Sequence, residues 1–134
     1  TAVIPGHSWK SSFKPSFTFT IKDTSAPYMV YFIIRHDDRY SYKNIYVNLY
    51  AKGPGQDTAQ GVPYDIRLAT DESGWLGSGM DDIYEHRTQL TPRAADKLFY
   101  FKKPGDYTFT IEQIMREDPL KNVWNTGIRI EKLQ

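Results

Sequence analysis

The chain has 134 residues, no cysteine, and 17 Lys plus Arg against 16 Asp plus Glu, a formal charge of +1. That length suits one domain whose core needs neither disulfide nor metal, and the missing cysteines exclude disulfide frameworks, thiol nucleophiles and Cys-type zinc sites. The balanced charge presents no strong field to nucleic acid or to an anionic membrane surface, and no apolar stretch approaches the roughly 18–20 residues of a membrane helix.

The elements that follow are almost all strands. The chain opens on Thr1 rather than Met, so removal of an upstream segment, a signal peptide among the candidates, is expected. A short strand is predicted near Trp9. From Ser16 to Lys22 the residues alternate, with Phe17, Phe19 and Ile21 on one face and Thr18 and Thr20 on the other. Asp23 to Pro27 reads as a turn. Tyr28 to His36 is apolar on both faces, which suits a central strand covered on two sides. Arg35 to Arg39 alternates in charge sign and reads as a solvated loop. Ile45 to Lys52 places Ile45, Val47, Leu49 and Ala51 together and is broken by Gly53, Pro54 and Gly55.

Val62 to Ala69 alternates again, and Pro63 marks it as a strand start or an edge. Asp71 to Gly74 is a turn, and a short strand is expected over His86 to Leu90. Thr91 to Asp96 offers a one-turn helix, with Thr as N-cap and Pro at the first position. Lys97 to Lys102 is predicted as a strand closed by Pro104 and Gly105. Asp106 to Ile114 points Tyr107, Phe109 and Ile111 inward, and Gly127 to Lys132 ends the chain as a strand. Seven firm strands and two short ones, with turns at the spacing of sandwiches, define a single all-β domain over residues 1–134. The architecture is an antiparallel β-sandwich of jelly-roll or immunoglobulin type.

Chemistry-bearing patterns are sparse. His7, His36 and His86 share no metal-ligand spacing, and His36 reads as a satisfied histidine at a strand end. Ser78 stands between Gly77 and Gly79, but a nucleophile elbow needs glycines two positions away, where Leu76 and Met80 stand. No Gly-Lys-Ser/Thr follows to make a phosphate loop. Acidic pairs at Asp37-Asp38, Asp71-Glu72, Asp81-Asp82 and Glu117-Asp118 lack calcium-loop spacing. Trp9, Trp75 and Trp124 either cap the ends of the core or form an aromatic contact surface, which Tyr40 and Tyr42 would extend.

Three segments carry a resemblance: Ile21 to Thr24 with Pro27 and Tyr28, Gly74 to Ile83, and Phe109 to Arg116 together with Asn122-Val123 and Gly127 to Glu131. In this order and spacing the chain is similar to the gliding motility lipoprotein GldH family over nearly its whole length. The resemblance implies a secreted bacterial lipoprotein, anchored to a membrane through a lipidated cysteine upstream of this chain and facing the periplasm or the cell surface. It implies work in gliding and the linked protein secretion machinery through protein partners. The family brings no catalytic residue, so none is carried over, and the spacing of the histidines and acids leaves no metal or cofactor expected. The candidate contact surface is the loop of Trp75, Gly77, Gly79, Asp81 and Asp82, with Trp9, Tyr40 and Tyr42. A carbohydrate-binding module is the alternative, and a hydrolase the remotest reading.

Overall fold

The computed structural model describes residues 1–91 and 98–133. Its strands in chain order are β1 (Ala2–Val3), β2 (Ser8–Trp9), β3 (Ser16–Ile21), β4 (Tyr28–Asp37), β5 (Asn44–Lys52), β6 (Gln60–Arg67), β7 (Ala69–Thr70), β8 (Gly74–Trp75), β9 (Ser78–Met80), β10 (Ile83–Gln89), β11 (Gly105–Gln113), β12 (Leu120–Lys121) and β13 (Val123–Lys132). Among the described residues a 3-10 turn, Pro5–His7, interrupts them. No helix among the described residues is long and apolar enough to cross a membrane.

Two antiparallel sheets carry the fold. One has the order β1-β13-β4-β10-β9, the other β3-β11-β5-β6, and the ribbons β2–β12 and β7–β8 sit beside them. The two-residue alternation dictates this arrangement, because it gives each strand one oily face to bury. Phe17, Phe19 and Ile21 of β3 meet Phe109 and Ile111 of β11 and Ile45, Val47 and Leu49 of β5 from one side. Val30, Phe32 and Ile34 of β4 and Ile128 of β13 meet them from the other. The doubly apolar reading of β4 holds: it lies between β13 and β10, and its outward-facing Met29 and Ile33 are buried as well. β6 is an edge strand, as Pro63 requires.

The outer face of the second sheet is polar and internally tied. Ser16 bonds Thr110 at 2.7 Å, Thr18 bonds Thr108 at 2.9 Å, and Thr20 donates to Asp106 at 2.6 Å across the β3–β11 ladder. Cross-strand pairs of this kind fix the register that the inward residues also demand.

Three expectations are corrected. Lys97 to Lys102 forms no strand: among its described residues only Phe99 makes an isolated bridge, to Tyr28. The short strand expected near His86 begins at Ile83 and pairs along β4 from Asp37 to Tyr31. The last strand begins at Val123, ahead of the glycine at which it was expected to start. The helix expected over Thr91 to Asp96 lies, beyond Thr91, outside the described residues.

Candidate functional site

One end of the sandwich, where β4 finishes and β10 begins, collects the aromatic and imidazole side chains. Alternation along β4 carries His36 onto the same inward face as Ile34, and alternation along β10 does the same for His86 beside Tyr84. Both imidazoles are buried, at 0% and 4% exposure. Their Nε2 atoms lie 2.8 Å apart, and His36 Nδ1 lies 2.7 Å from the Asp37 carbonyl oxygen.

A carbonyl only accepts, so His36 must carry its proton on Nδ1 and donate it there. His36 Nε2 is then a lone-pair acceptor, and His86 donates to it from Nε2. Both rings are neutral in this arrangement. Burial pushes the His86 pKa down to about 4, and the repulsion a protonated His36 would exert is a second cause. Burial also lowers His36, partly offset by the Asp37 carbonyl and carboxylate.

Aromatic rings close this end. Trp75 lies 4.4 Å from the His36 ring and 5.8 Å from Tyr84, while Tyr40 lies 5.1 Å from His36. Tyr40 is buried, donates its hydroxyl to the Asn44 carbonyl at 2.8 Å, and has its pKa raised by that burial. Beside them Asp37 accepts from Trp124 Nε1 at 3.0 Å and from the Arg39 amide at 2.9 Å. Burial works to raise its pKa, but these bonds outweigh it and hold it below the usual value. His7 stacks on Trp124 at 3.9 Å.

Outside this cap Tyr42 forms a ridge between two grooves. One, of about 280 Å³, runs past Tyr40, Lys43, Thr70 and Trp75; the other, of about 470 Å³, past Asn44, Tyr46, Ile114, Met115 and Arg116. On the far side of Trp75 the chain turns into β9, the outermost strand of its sheet. Leu76 is 50% exposed there and Met80 78%. Asp81 and Asp82, at φ 53° and 64°, make the two-residue turn into β10. Two successive positive φ values are what a type I′ hairpin turn needs, and Asp tolerates them better than most residues. The acid pair is therefore explained by backbone geometry, and among the described residues no group of three metal-ligating side chains assembles.

Of the residues singled out in the sequence, Trp75, Tyr40 and Tyr42 come together, with Gly77, Gly79, Asp81 and Asp82 along the adjoining edge. Trp9 does not join them as a surface, since it is fully buried and donates Nε1 to the Phe13 carbonyl at 2.8 Å. Tyr40 is likewise inside. The sequence reading missed Tyr84 and the His36–His86 pair; the alternation of Tyr84, His86 and Thr88 was the signal that could have found them. Leu76 and Met80 were missed because exposure is a property of the edge they occupy.

Gly77 passes close against the sheet. A Cβ there would run into the Glu85 carbonyl oxygen and stand 2.9 Å from His86 Nδ1. Backbone cannot yield as a flexible side chain does, so Gly77→Ala is expected to displace β8 and β9. The expected loss is on the order of 1–3 kcal/mol, read by denaturant unfolding together with a change in tryptophan emission.

Comparison with known proteins identifies the family. The GldH lipoprotein family model matches residues 1–130. The chain belongs to the GldH lipoprotein family. A relative, the gliding motility lipoprotein GldH homolog of Christiangramia forsetii, is 27% identical over 139 residues, covering 94% of this chain and 78% of the relative. No solved structure matches the chain. Within this GldH-type fold the segment from Gly74 to Ile83, which carries part of the family resemblance, is the same one that forms the cap and the open edge.

Proposed function

We propose that this GldH-family chain is a non-enzymatic, lipid-anchored component of the cell envelope. It acts by protein–protein contact in gliding and secretion machinery, through the end that carries Trp75, Leu76 and Met80. The observation that carries the reading is the β9 edge, which among the described residues has a strand on one side only. Sheet edges in soluble proteins are usually blunted by lysine, proline or a covering segment. β6 carries Pro63, and β13 is covered in part by β1. β9 exposes Met80, with Leu76 exposed ahead of the strand, and among the described residues it pairs only with β10; an apolar edge of this kind can accept an added strand from a partner.

The histidines support the non-enzymatic part. His36 and His86 are committed to each other inside the core, and His7 is stacked on Trp124. The carbohydrate alternative has less support, because the exposed tyrosines Tyr46 and Tyr100 lie at opposite ends of the sandwich rather than on one platform.

The test is site-specific photo-crosslinking in cells, with the probe at Met80 and, as control, at Thr108 on the outer face of the second sheet. Adducts with a gliding or secretion component are expected from Met80 only. Met80→Asp is expected to weaken that contact about ten-fold or more without moving the unfolding midpoint. Equal labelling from both positions, or none from Met80, would sink the assignment of this edge.

A further inference from the structure

We propose that the opposite end of the sandwich rests on the anionic headgroup surface of the membrane, so that the Trp75 end points away from it. This rests on the lipid-anchor reading above and adds an orientation to it.

The direction of β1 supplies the first observation. Ala2 stands opposite Thr126 and Val3 opposite Asn125, so β1 runs antiparallel to β13. Followed backwards from Val3 to Thr1, the chain heads toward Lys132. Thr1 is pinned close over Gly127: a Cβ on that glycine would meet Thr1 Cγ2 at 2.8 Å and its Cα at 2.9 Å. A lipid-bearing segment ahead of Thr1 is thereby aimed at the Lys132 end, not the Trp75 end.

The character of that end supplies the second. It gathers the start of β4, the ends of β3, β5 and β13, and the turn before β11. A groove of about 320 Å³ opens there, walled by Phe99, Tyr100, Phe101 and Tyr107 and rimmed by Lys102 and Lys103. Tyr107 holds the rim in place, accepting from the Lys103 amide at 3.3 Å and donating to its carbonyl at 2.7 Å. Tyr100 is 45% exposed. Lys102 and Lys103 form no ion pair with any described residue, whereas Lys132 is paired with Asp23 at 2.9 Å.

Among the described residues the other acids of this end are Asp57, Asp106 and Glu131. Asp106 is bonded by Thr20 and Glu131 faces Arg129 at 3.7 Å. Two exposed lysines beside an exposed tyrosine form the amphipathic pairing that settles at a membrane interface, with ring and stem in the headgroup layer and charge on phosphate. Each lysine held near an anionic leaflet raises partitioning roughly five-fold.

The experiment exploits the absence of cysteine. The whole chain is tethered by an N-terminal polyhistidine tag to nickel-chelating lipid in vesicles of phosphatidylcholine with phosphatidylglycerol. An environment-sensitive fluorophore is placed on Lys102→Cys or, separately, on Asp81→Cys. Emission from position 102 is expected to shift blue and resist an aqueous quencher, while position 81 stays quenchable. With the fluorophore on Tyr100→Cys, Lys102→Glu with Lys103→Glu is expected to abolish the shielding. Shielding at 81, equal quenching at both positions, or shielding indifferent to charge reversal overturns the proposal. Because the tag supplies the tether, failure here is separate from failure of the native anchor, which is read by incorporation of alkyne-palmitate into the full precursor in cells.

Discussion

Trp9→Ala should cost about 3–5 kcal/mol, the range for deleting a fully buried large aromatic. On a chain of this size that is a fall in unfolding midpoint of roughly 10–20 °C. The size of the effect follows from what Trp9 joins. It is 0% exposed and sits on a strand of only two residues, paired through Leu120 with β12. Its indole N–H goes to Phe13, and its own carbonyl accepts Gln113 Nε2 at 3.1 Å. Removing the ring opens a cavity in the core cluster and frees the N-terminal segment from the sheet it is fastened to.

Trp9→Phe separates the two contributions. It retains most of the apolar contact but leaves the Phe13 carbonyl without its donor, a loss of about 1–2 kcal/mol. Trp75→Ala, at the half-buried cap, is expected to cost less than Trp9→Ala. Urea unfolding of the three variants gives the ranking, and a Trp9→Ala loss under about 1 kcal/mol would show that the ring is not part of the core.

The two tryptophans mark what was legible in the sequence. The long strands were readable wherever oily residues recur at every second position, because that period allows only one burial choice. Phe17 to Ile21, Ile45 to Leu49 and Tyr107 to Ile111 were all placed on the face they occupy. Lys97 to Lys102 shows the limit: its aromatics satisfy strand propensity, yet Phe99 and Phe101 pack as a corner against Tyr28, with Phe101 and Tyr28 rings 5.1 Å apart. Propensity there reports fitness for a half-buried surface, not ladder pairing.

At the candidate site, the Gly74 to Ile83 segment stood out by composition. The fate of each tryptophan did not, since burial depends on partners far away in sequence, such as Leu120 for Trp9 and His36 for Trp75. The acid pair Asp81-Asp82 was placed in the contact surface, and its part as a two-residue hairpin turn was not legible, because two positive φ values in succession have no signature in an Asp-Asp pair that separates them from solvated loop acids.

The His36–His86 pair makes stability depend on pH in a window that the carboxylates do not reach. Both rings are neutral in the fold, and both have pKa values below the ordinary 6.5, His86 near 4. In the unfolded chain each takes up a proton as pH falls through about 6.5. Between there and 4 the unfolded state binds more protons than the folded one, so unfolding free energy rises with pH and is lost on acidification. Discounted for partial relaxation around the charged ring, the loss from pH 7 to pH 4.5 is on the order of 2 kcal/mol.

The depressed carboxylates, Asp23, Asp37, Asp71, Glu112 and Asp118, act with the same sign but lower. Their contribution is present above their unfolded values and declines only as pH falls through about 4. His86→Gln therefore isolates the histidine share. At pH 7 the variant should be less stable than the parent, because the exchange disturbs the buried bond to His36 Nε2. Its slope between pH 6.5 and 5 should be close to half the parent's, so the two curves converge on acidification. A proton added to the parent pair must either break the 2.8 Å Nε2–Nε2 bond or sit on His86 Nδ1, beneath Gly77. Acid should thus loosen the Trp75 loop before it unfolds the sheets, seen as a tryptophan emission change ahead of the loss of far-ultraviolet dichroism. A parent curve flat from pH 7 to 5, or an imidazole titrating at its ordinary value by NMR, would contradict the neutral pair from which both effects are derived.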